Sequence, residues 1–349
     1  MTLVLGIECT AHTFGIGIVD GSKKEILFSE KSLFQNDVGM DPRVLSDFHV
    51  ANFDSILIKA REFLKSINKD FSNLDLIAFS QGPGIGNSLK VAGLVAKTLA
   101  LKYNIDIIGV NHIKSHLEVG RMLTGFDDPL FLNITGVNSQ VIAKDDFGKY
   151  KVYGETEDIG LGNVLDSCAR ILGLGFPGGP LIEKRALHGK HFFDIPYTIK
   201  GMNVSFSGIE SYVKQKVKEF ETNQGEVKIN SLNKVKFENF ENLVDSLCFS
   251  LQETVFAMLM EVAERALAYT NKKYFVLVGG VAANKRFVDM AKEMCKIRGV
   301  IYDSIDLKYC MDNGAMIAVC GLHEINRAKK DGSISGLKPM PYITIETDL

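Results

Sequence analysis

Two histidines four residues apart, His112 and His116, are the side chains in this sequence best suited to chemistry. The spacing places both imidazoles on one face of a helix, where they can share a metal ion. Such a site needs at least one more ligand, usually a carboxylate from elsewhere in the chain. The zinc-peptidase motif requires glutamate directly after the first histidine, and Ile113 stands there instead. Ile113 therefore argues against a peptidase, and the spacing alone leaves a metal site and two unconnected histidines both open.

Other side chains with ligand or nucleophile chemistry each have a structural alternative. Asp312 precedes an apolar run, so it is either a helix N-cap or a metal-binding carboxylate. His188 and His191 lie among lysines and an arginine, a pattern more typical of a solvated basic helix end than of a second metal site. Cys9 has no base placed beside it by the sequence, which indicates a core thiol.

Glycine-rich turns recur between apolar segments, at residues 82–86, 178–179 and 279–284. Free amides at a helix start, with no side chain in the way, favour a phosphate or carboxylate group. The first turn lacks the Lys-Ser/Thr of a P-loop, and the strand after it does not end in the acidic residue of a dinucleotide site. Each turn alone could be only a tight connection. Their occurrence in both halves favours a nucleotide held between two domains.

Alternating apolar residues and helical spacing predict the elements that would position these groups. In the first half the pattern predicts strands at 3–7, 15–19, 24–29, 74–79 and 105–110, and helices at 48–67 and 89–103. In the second half it predicts strands at 131–135, 140–143, 150–154 and 274–278, and helices at 161–174, 180–188, 243–269, from about 285, and 312–329. A hairpin followed by α/β segments thus occurs twice, which indicates two related domains facing one cleft.

Composition narrows the class of protein further. The chain has 349 residues, 46% of them apolar, which suffices for two buried cores. The 40 basic and 42 acidic residues give a net charge of −2, so a nucleic-acid partner would have to be met by a local patch or through other subunits. The six cysteines are scattered, and we read neither a secretory signal nor a membrane span in the sequence. We therefore expect a cytoplasmic protein with reduced cysteines and no membrane partner.

Seven motifs taken together resemble one family, the archaeal and eukaryotic type of tRNA adenosine threonylcarbamoyltransferase, the catalytic subunit of the KEOPS complex. They extend over most of the chain in the family's order, and they lie at residues 6–15, 80–84, 110–116, 154–166, 201–208, 279–284 and 312–315. The family's turn Tyr-Val-Ser-Gly-Gly-Asn-Thr reads Asn-Ile-Thr-Gly-Val-Asn-Ser here, at residues 133–139, and Asn203 replaces the usual aspartate.

The resemblance implies an α/β fold with two actin-like, Hsp70-like (ASKHA) ATPase domains around a central cleft. It assigns residues 1–126, joined by 326–349, to the first domain and residues 127–325 to the second, with an insertion near 218–241. It also implies an enzyme that transfers threonylcarbamoyl from threonylcarbamoyl-AMP to N6 of the adenosine 3′ of the anticodon, in tRNAs that read codons beginning with A.

The resemblance further implies roles for particular residues. His112, His116 and Asp312 would hold one divalent ion, Fe2+ or Zn2+. The adenine nucleotide, the threonylcarbamoyl-AMP donor or ATP, would be bound by residues from the second half of the chain: Asn133, Ile134, Thr135, Gly136, Val137, Asp166, Gly179, Glu183 and Asn284. No side chain identifies itself as the general base.

Partners and alternatives complete the expectation. The family implies tRNA and further KEOPS subunits, including a small kinase-like ATPase and a dimerising subunit. A non-catalytic nucleotide-binding scaffold related to the family would keep the nucleotide turns without the reaction. A small-molecule kinase of the same fold would leave the histidine pair without a role and would normally need a catalytic aspartate, which the sequence pattern does not place in the first domain.

Overall fold

The computed structural model describes residues 1–34, 41–136, 138–328, 334 and 336–347. The strands, in chain order, are β1 Leu3–Glu8, β2 Thr13–Asp20, β3 Glu25–Leu33, β4 Leu76–Gly82, β5 Asp106–Asn111, β6 Leu130–Ile134, β7 Ser139–Lys144, β8 Tyr150–Glu155, β9 Ile199–Lys200, β10 Asn203–Val204, β11 Glu226–Lys228, β12 Lys234–Lys236, β13 Tyr274–Val278 and β14 Ile301–Ser304. The helices are α1 Pro42–Ser66, α2 Gly86–Tyr103, α3 His112–Thr124, α4 Leu161–Ile171, α5 Gly178–Ala186, α6 Ser207–Thr222, α7 Phe240–Thr270, α8 Lys285–Arg298, α9 Leu307–Cys310 and α10 Gly314–His323.

The chain divides into two compact units. Unit 1 comprises residues 1–127 and 305–349, and unit 2 comprises residues 128–304. Segment 305–325, which we expected in the second domain, therefore belongs to unit 1. The physical reason is close packing: α10 lies directly on β1 and β2, where a side chain on Gly6 or Gly17 would meet helix backbone at 2.2 Å.

Unit 1 is built on a five-stranded sheet in the order β3-β2-β1-β4-β5. The first three strands are antiparallel neighbours, and β4 and β5 run parallel to β1. Leu5 and Ile7 of β1 pack into a cluster with residues of α1 and α2. Successive residues of a strand face opposite sides, so Gly6 between them meets α10 instead. Helices thus cover both faces of this sheet.

Unit 2 repeats the same arrangement. Its sheet has the order β14-β13-β6-β7-β8, with β6, β7 and β8 antiparallel and β13 and β14 parallel to β6. Counted from the first strand of each unit, the order is therefore identical. The α/β fold and the repeated pattern predicted from the sequence are confirmed.

The longest helix, α7, forms the centre of the unit 2 core. Large apolar side chains along its length pack into one buried cluster with the sheet and with α4, α6 and α8. Its most apolar window reaches a mean hydropathy of 1.4, so length and composition alone would allow a membrane span. However, 83% of that window is buried inside the unit, as in the core helix of a folded domain.

Three local features differ from the sequence prediction. The segment 218–241, expected as an insertion, carries secondary structure that was not predicted, because β11 and β12 form an antiparallel hairpin between α6 and α7. Helix α6 and the edge strand β14 were not predicted, since their apolar residues are few. The last predicted helix is shorter than expected: α10 ends at His323 and a 3-10 turn, Ile325–Arg327, follows.

Candidate metal centre

Helix α3 starts where the parallel strand β5 ends, and this junction positions both histidines. The Asn111 side-chain oxygen accepts hydrogen bonds from the amides of Ile113 and Lys114, at 2.9 and 3.2 Å, and so caps the helix. His112 is then the first helical residue and His116 lies one turn later on the same face. Their ring centres are 4.9 Å apart and the rings are perpendicular.

Asp312 joins the two histidines from the loop between α9 and α10. Asn313, not Asp312, caps α10, because its side chain accepts from the amide of Met316. The Asp312 carboxylate is thereby left free to face α3. Its Oδ1 lies 3.2 Å from Nε2 of His116 and 3.5 Å from Nε2 of His112.

Glu8 lies behind this cluster and orients one of the imidazoles. Its carboxylate is fully buried at the end of β1, and one oxygen lies 3.0 Å from Nδ1 of His112. The other oxygen accepts from the amide and hydroxyl of Thr10. With Nδ1 of His112 directed at Glu8, its Nε2 atom faces Asp312. Sequence analysis missed this orienting role, although an acidic residue ending an apolar strand was a visible signal.

The charges of the cluster are strongly coupled. Burial by itself would lower the pKa of His112, but the carboxylates of Glu8 and Asp312 raise it to about 9. Burial would raise the pKa of Asp312, yet the two imidazoles hold it well below its usual range. The cluster therefore favours positive charge beside Asp312, whether from protons or from a cation.

The donor set fits a divalent transition-metal ion. The ligand atoms of His112, His116 and Asp312 all lie within 4.8 Å of one another. Atoms bound to one Zn2+ at about 2.1 Å are separated by about 3–4 Å, and both imidazole–carboxylate distances fall in that range. Two imidazoles and one carboxylate suit zinc or iron and leave coordination positions open for a substrate.

The residues predicted to bind the donor all belong to unit 2, where Asn133 and Ile134 end β6 and Asn284 follows β13. The backbone after β6 is tightly packed: the Thr135 and Gly136 carbonyls accept from the first amides of α4. Gly279 follows β13 with a positive φ of 90°, and a side chain there would meet the Ile134 carbonyl. Asn133 is buried, and neither its Oδ1 nor its Nδ2 has a partner among the described residues. Val137 lies outside the described residues.

The remaining predicted donor residues hold helix starts in unit 2. Asp166 accepts from the amide of Gly178 at 2.7 Å, and burial raises the pKa of Asp166. Glu183 accepts from the amide of Lys285 at 2.8 Å. Asn284 caps α8.

Asn284 also donates to the side chain of Gln252 at 3.0 Å. Gly179 faces open space, since a side chain there would meet nothing within 4 Å. These residues line neighbouring helix N-termini, where backbone amides favour negative charge.

Other candidates have structural roles. Asn203 accepts from the amide of Glu155 and joins β10 to the end of β8. His191 packs its ring edge against Phe237, and His188 is exposed. Burial raises the pKa of the Cys9 thiol well above its ordinary value, as expected for a core cysteine.

Comparison with known sequences decides the family. The family described as "TsaD: tRNA N6-adenosine threonylcarbamoyltransferase" matches residues 23–319. A protein of Thermococcus kodakarensis with the same name is 44% identical over 92% of this chain and 90% of its own length. The corresponding Nanoarchaeum equitans protein is 41% identical over 97% of this chain and 98% of its own length. The chain belongs to the tRNA N6-adenosine threonylcarbamoyltransferase family.

Some members of this family are longer. A Methanothermobacter thermautotrophicus protein named probable bifunctional tRNA threonylcarbamoyladenosine biosynthesis protein is 41% identical over 91% of this chain, which spans 55% of that protein. Membership of the threonylcarbamoyltransferase family confirms the resemblance drawn from the seven motifs and makes the chain one of a family of acyltransferases.

Solved structures agree with the fold. The Thermococcus kodakarensis HypF structure aligns with 93% of this chain and 48% of its own, at a TM-score of 0.58 and 14% identity. A full-length HypF in the phosphate- and nucleotide-bound form aligns with a TM-score of 0.60 and 12% identity. At such identities the likeness shows that this threonylcarbamoyltransferase family member shares the fold of HypF, and it shows nothing about the substrate.

Proposed function

We propose that this chain transfers the threonylcarbamoyl group of threonylcarbamoyl-AMP to N6 of the adenosine 3′ of the anticodon, in tRNAs that read codons beginning with A. The observation that carries the proposal is the convergence of His112, His116 and Asp312 in unit 1 of a chain from this family. These three residues would hold one Fe2+ or Zn2+ ion, whose Lewis acidity would polarise the donor's carbonyl or phosphate oxygen.

The donor chemistry explains why the site needs no covalent nucleophile. An acyl-adenylate is a mixed anhydride, so its carbonyl is already activated and AMP is a good leaving group. The exocyclic amine of adenine is a weak nucleophile, and so orientation of the two substrates must supply much of the rate enhancement. Attack by N6 on the carbonyl forms the new C–N bond, breaks the bond to the phosphate oxygen, and releases AMP and the proton of N6.

The donor would be bound by the residues of unit 2. The carboxylates of Asp166 and Glu183 each accept one backbone hydrogen bond and keep lone pairs for ribose hydroxyls. The amides at the start of α5, beside Gly179, suit the phosphate. Asn133 would meet a polar group of the donor, because its buried amide has no other partner among the described residues.

Partners follow from charge. Contacts between basic side chains and phosphates dominate affinity for tRNA. This chain has no excess of basic over acidic residues, since its net charge is −2. As the resemblance to the family implies, we propose that the chain acts in the cytoplasm as the catalytic subunit of a KEOPS complex. A small kinase-like ATPase and a dimerising subunit of that complex would supply part of the tRNA surface.

A reconstituted assay tests the reaction. Threonylcarbamoyl-AMP, a cognate tRNA transcript and the partner subunits are incubated with the chain, and the modified nucleoside is quantified by mass spectrometry. We expect product with the wild-type chain and with His188→Ala, an exposed histidine outside the site. His112→Ala and Asp312→Ala should lose product and bound metal together. A wild-type chain that binds nucleotide but never modifies tRNA would indicate a scaffold.

Binding to tRNA tests the partner proposal. At physiological salt we expect the isolated chain to bind tRNA at least about tenfold more weakly than the assembled complex, because the complex adds phosphate contacts. A tight complex of the isolated chain with tRNA would contradict it.

A further inference from the structure

Residues 336–347 form a segment of turns and irregular structure, here called the strap, that lies across the carboxyl ends of β4 and β5 in unit 1. Its backbone is tied to Gln81: the Met340 amide donates to the Gln81 carbonyl at 2.7 Å, and the Gln81 side chain donates to the Lys338 carbonyl at 2.8 Å. Ile343 and Ile345 of the strap are buried and anchor it to the unit. The strap is therefore an ordered part of the edge from which α3 starts.

The glycine turn after β4 packs so closely against the strap that it has no space for a side chain. A side chain on Gly82 would lie 1.9 Å from the Met340 carbonyl oxygen. The amide of Gly84 donates to the Pro341 carbonyl at 3.2 Å. The glycines that the sequence analysis considered for phosphate binding thus serve here as a contact surface for another part of the chain.

The strap also reaches the residue that caps the metal-ligand helix. The Nδ2 group of Asn111 donates to the Thr344 carbonyl at 2.8 Å, while its Oδ1 accepts from the amides of Ile113 and Lys114. Asn111 is buried, so every polar atom of its amide requires a partner. The Thr344 carbonyl fixes which end of the amide faces the helix, and the next residue along is His112.

A second path leads from the strap-bound turn to Glu8. Ile85 follows Gly84, and its amide donates to the Thr10 carbonyl at 2.7 Å. Thr10 in turn donates to the Glu8 carboxylate that orients His112. The strap therefore contacts both structures that position His112. Asn111 holds the backbone at the start of α3, and the turn after β4 leads through Thr10 to Glu8, which orients the imidazole ring.

We infer that the strap is a positioning element of the metal centre, which holds the first turn of α3 through Asn111 and thereby fixes His112 for metal binding. The inference rests on the metal site proposed above. The strap supplies no ligand atom itself and acts through the residues that orient a ligand. Outer partners of this kind typically change metal affinity by about 10–100-fold.

Two substitutions distinguish the effect of the strap from the effect of N-capping by Asn111. Asn111→Ser keeps a side-chain oxygen suited to capping but is too short to reach Thr344. Gly82→Ala leaves Asn111 in place and forces the strap away from β4. Tyr342→Ala is the matched control, because this strap side chain is 96% exposed. A chain lacking residues 337–349, with and without a synthetic peptide of residues 337–347, completes the set.

The readouts are Zn2+ affinity, measured against a chromophoric chelator, and hydrogen exchange of the Ile113 and Lys114 amides in the metal-free protein. We expect Asn111→Ser and Gly82→Ala to weaken Zn2+ binding at least tenfold and to speed exchange at both amides. Tyr342→Ala should match wild type, and the peptide should restore affinity to the shortened chain. Melting temperatures identify any variant that simply fails to fold.

The inference is overturned if folded Asn111→Ser and Gly82→Ala bind Zn2+ like wild type and exchange at the same rate. If the His112→Ala variant binds Zn2+ as tightly as the wild-type protein does, the proposed metal site is overturned instead. In that case the hydrogen-exchange rates of the Ile113 and Lys114 amides in the metal-free protein still show whether the strap holds the first turn of α3.

Discussion

Units 1 and 2 share one strand order, yet the carboxyl ends of their parallel strands present different chemistry. In unit 1 these ends carry ionisable side chains, with Glu8 as the last residue of β1 and His112 directly after β5, and the loop before α10 adds Asp312. In unit 2 the end of β6, the counterpart of β1, carries an uncharged amide, Asn133, and β13, the counterpart of β4, is followed by the glycine turn at Gly279. The same strand order thus carries a cluster of ionisable side chains in unit 1 and an uncharged amide at the end of β6 in unit 2.

The two units also pack their central helices differently. In unit 1, α10 lies on the sheet through glycines, so helix and strand backbones are in direct contact. In unit 2, α7 packs through large apolar side chains. Direct backbone contact leaves little freedom for α10 to shift, and Asp312 immediately precedes this helix. The charged cluster therefore lies in the unit whose packing fixes the position of its carboxylate, Asp312.

Substitution of a packing glycine should have the largest effect on stability. In Gly17→Ala the new methyl group would lie 2.2 Å from the Ala315 amide nitrogen, so α10 must move. We expect a loss of about 3 kcal/mol in the free energy of unfolding, at the upper end for overpacking, measured by urea denaturation. Gly280→Ala in unit 2 is the control, since nothing lies within 4 Å of its added carbon. Equal stability of both variants would show that packing through glycine does not distinguish unit 1.

Loss of the Glu8 charge should weaken metal binding next. Glu8→Gln keeps the shape of the side chain but replaces the carboxylate that accepts from His112. We expect Zn2+ affinity to fall about 10–100-fold, measured by chelator competition. Glu30→Gln, on the edge strand β3 with its side chain 45% exposed, is the matched control. An unchanged affinity in Glu8→Gln would mean that Asp312 alone sets the imidazole's orientation.

Replacement of Asn133 should separate stability from function in unit 2. A buried amide without partners costs about 1–3 kcal/mol. We therefore expect Asn133→Leu to stabilise the ligand-free protein by about 1 kcal/mol and to raise KM for the donor, measured by urea denaturation and steady-state kinetics. A destabilised Asn133→Leu variant with unchanged KM would indicate that Asn133 is a structural residue.

Cysteine reactivity should not differ between the units. Each unit buries three cysteines, namely Cys9, Cys310 and Cys320 in unit 1 and Cys168, Cys248 and Cys295 in unit 2. Burial raises the pKa of Cys168 and Cys310 to about 12, so reactive thiolate is scarce at pH 8. We expect fewer than about one iodoacetamide label per folded chain, and six after denaturation, by mass spectrometry. Rapid labelling of one site would identify a local opening in that unit.

Local patterns in the sequence determined most of the elements and the family. Apolar periodicity placed β4, β5, β13 and α7 within a few residues, because the burial of one face requires that period. The spacing of His112 and His116 placed both on one helix face. Helix α6 and strand β14 escaped prediction, because polar residues dominate them and the neighbouring elements supply their order.

Tertiary structure alone decided which distant residues meet. Asp312 follows His116 by 196 residues, and nothing local in the sequence brings them together. Gly6 and Gly17 bring Asp312 to His116, because they allow α10 to pack directly on β1 and β2. The same contact explains why residues 305–325 belong to unit 1. Chemical types and periodic elements can be predicted from local sequence, since these depend on near neighbours. The positions of Glu8 and of the strap depend on packing between remote segments, which only the folded chain decides.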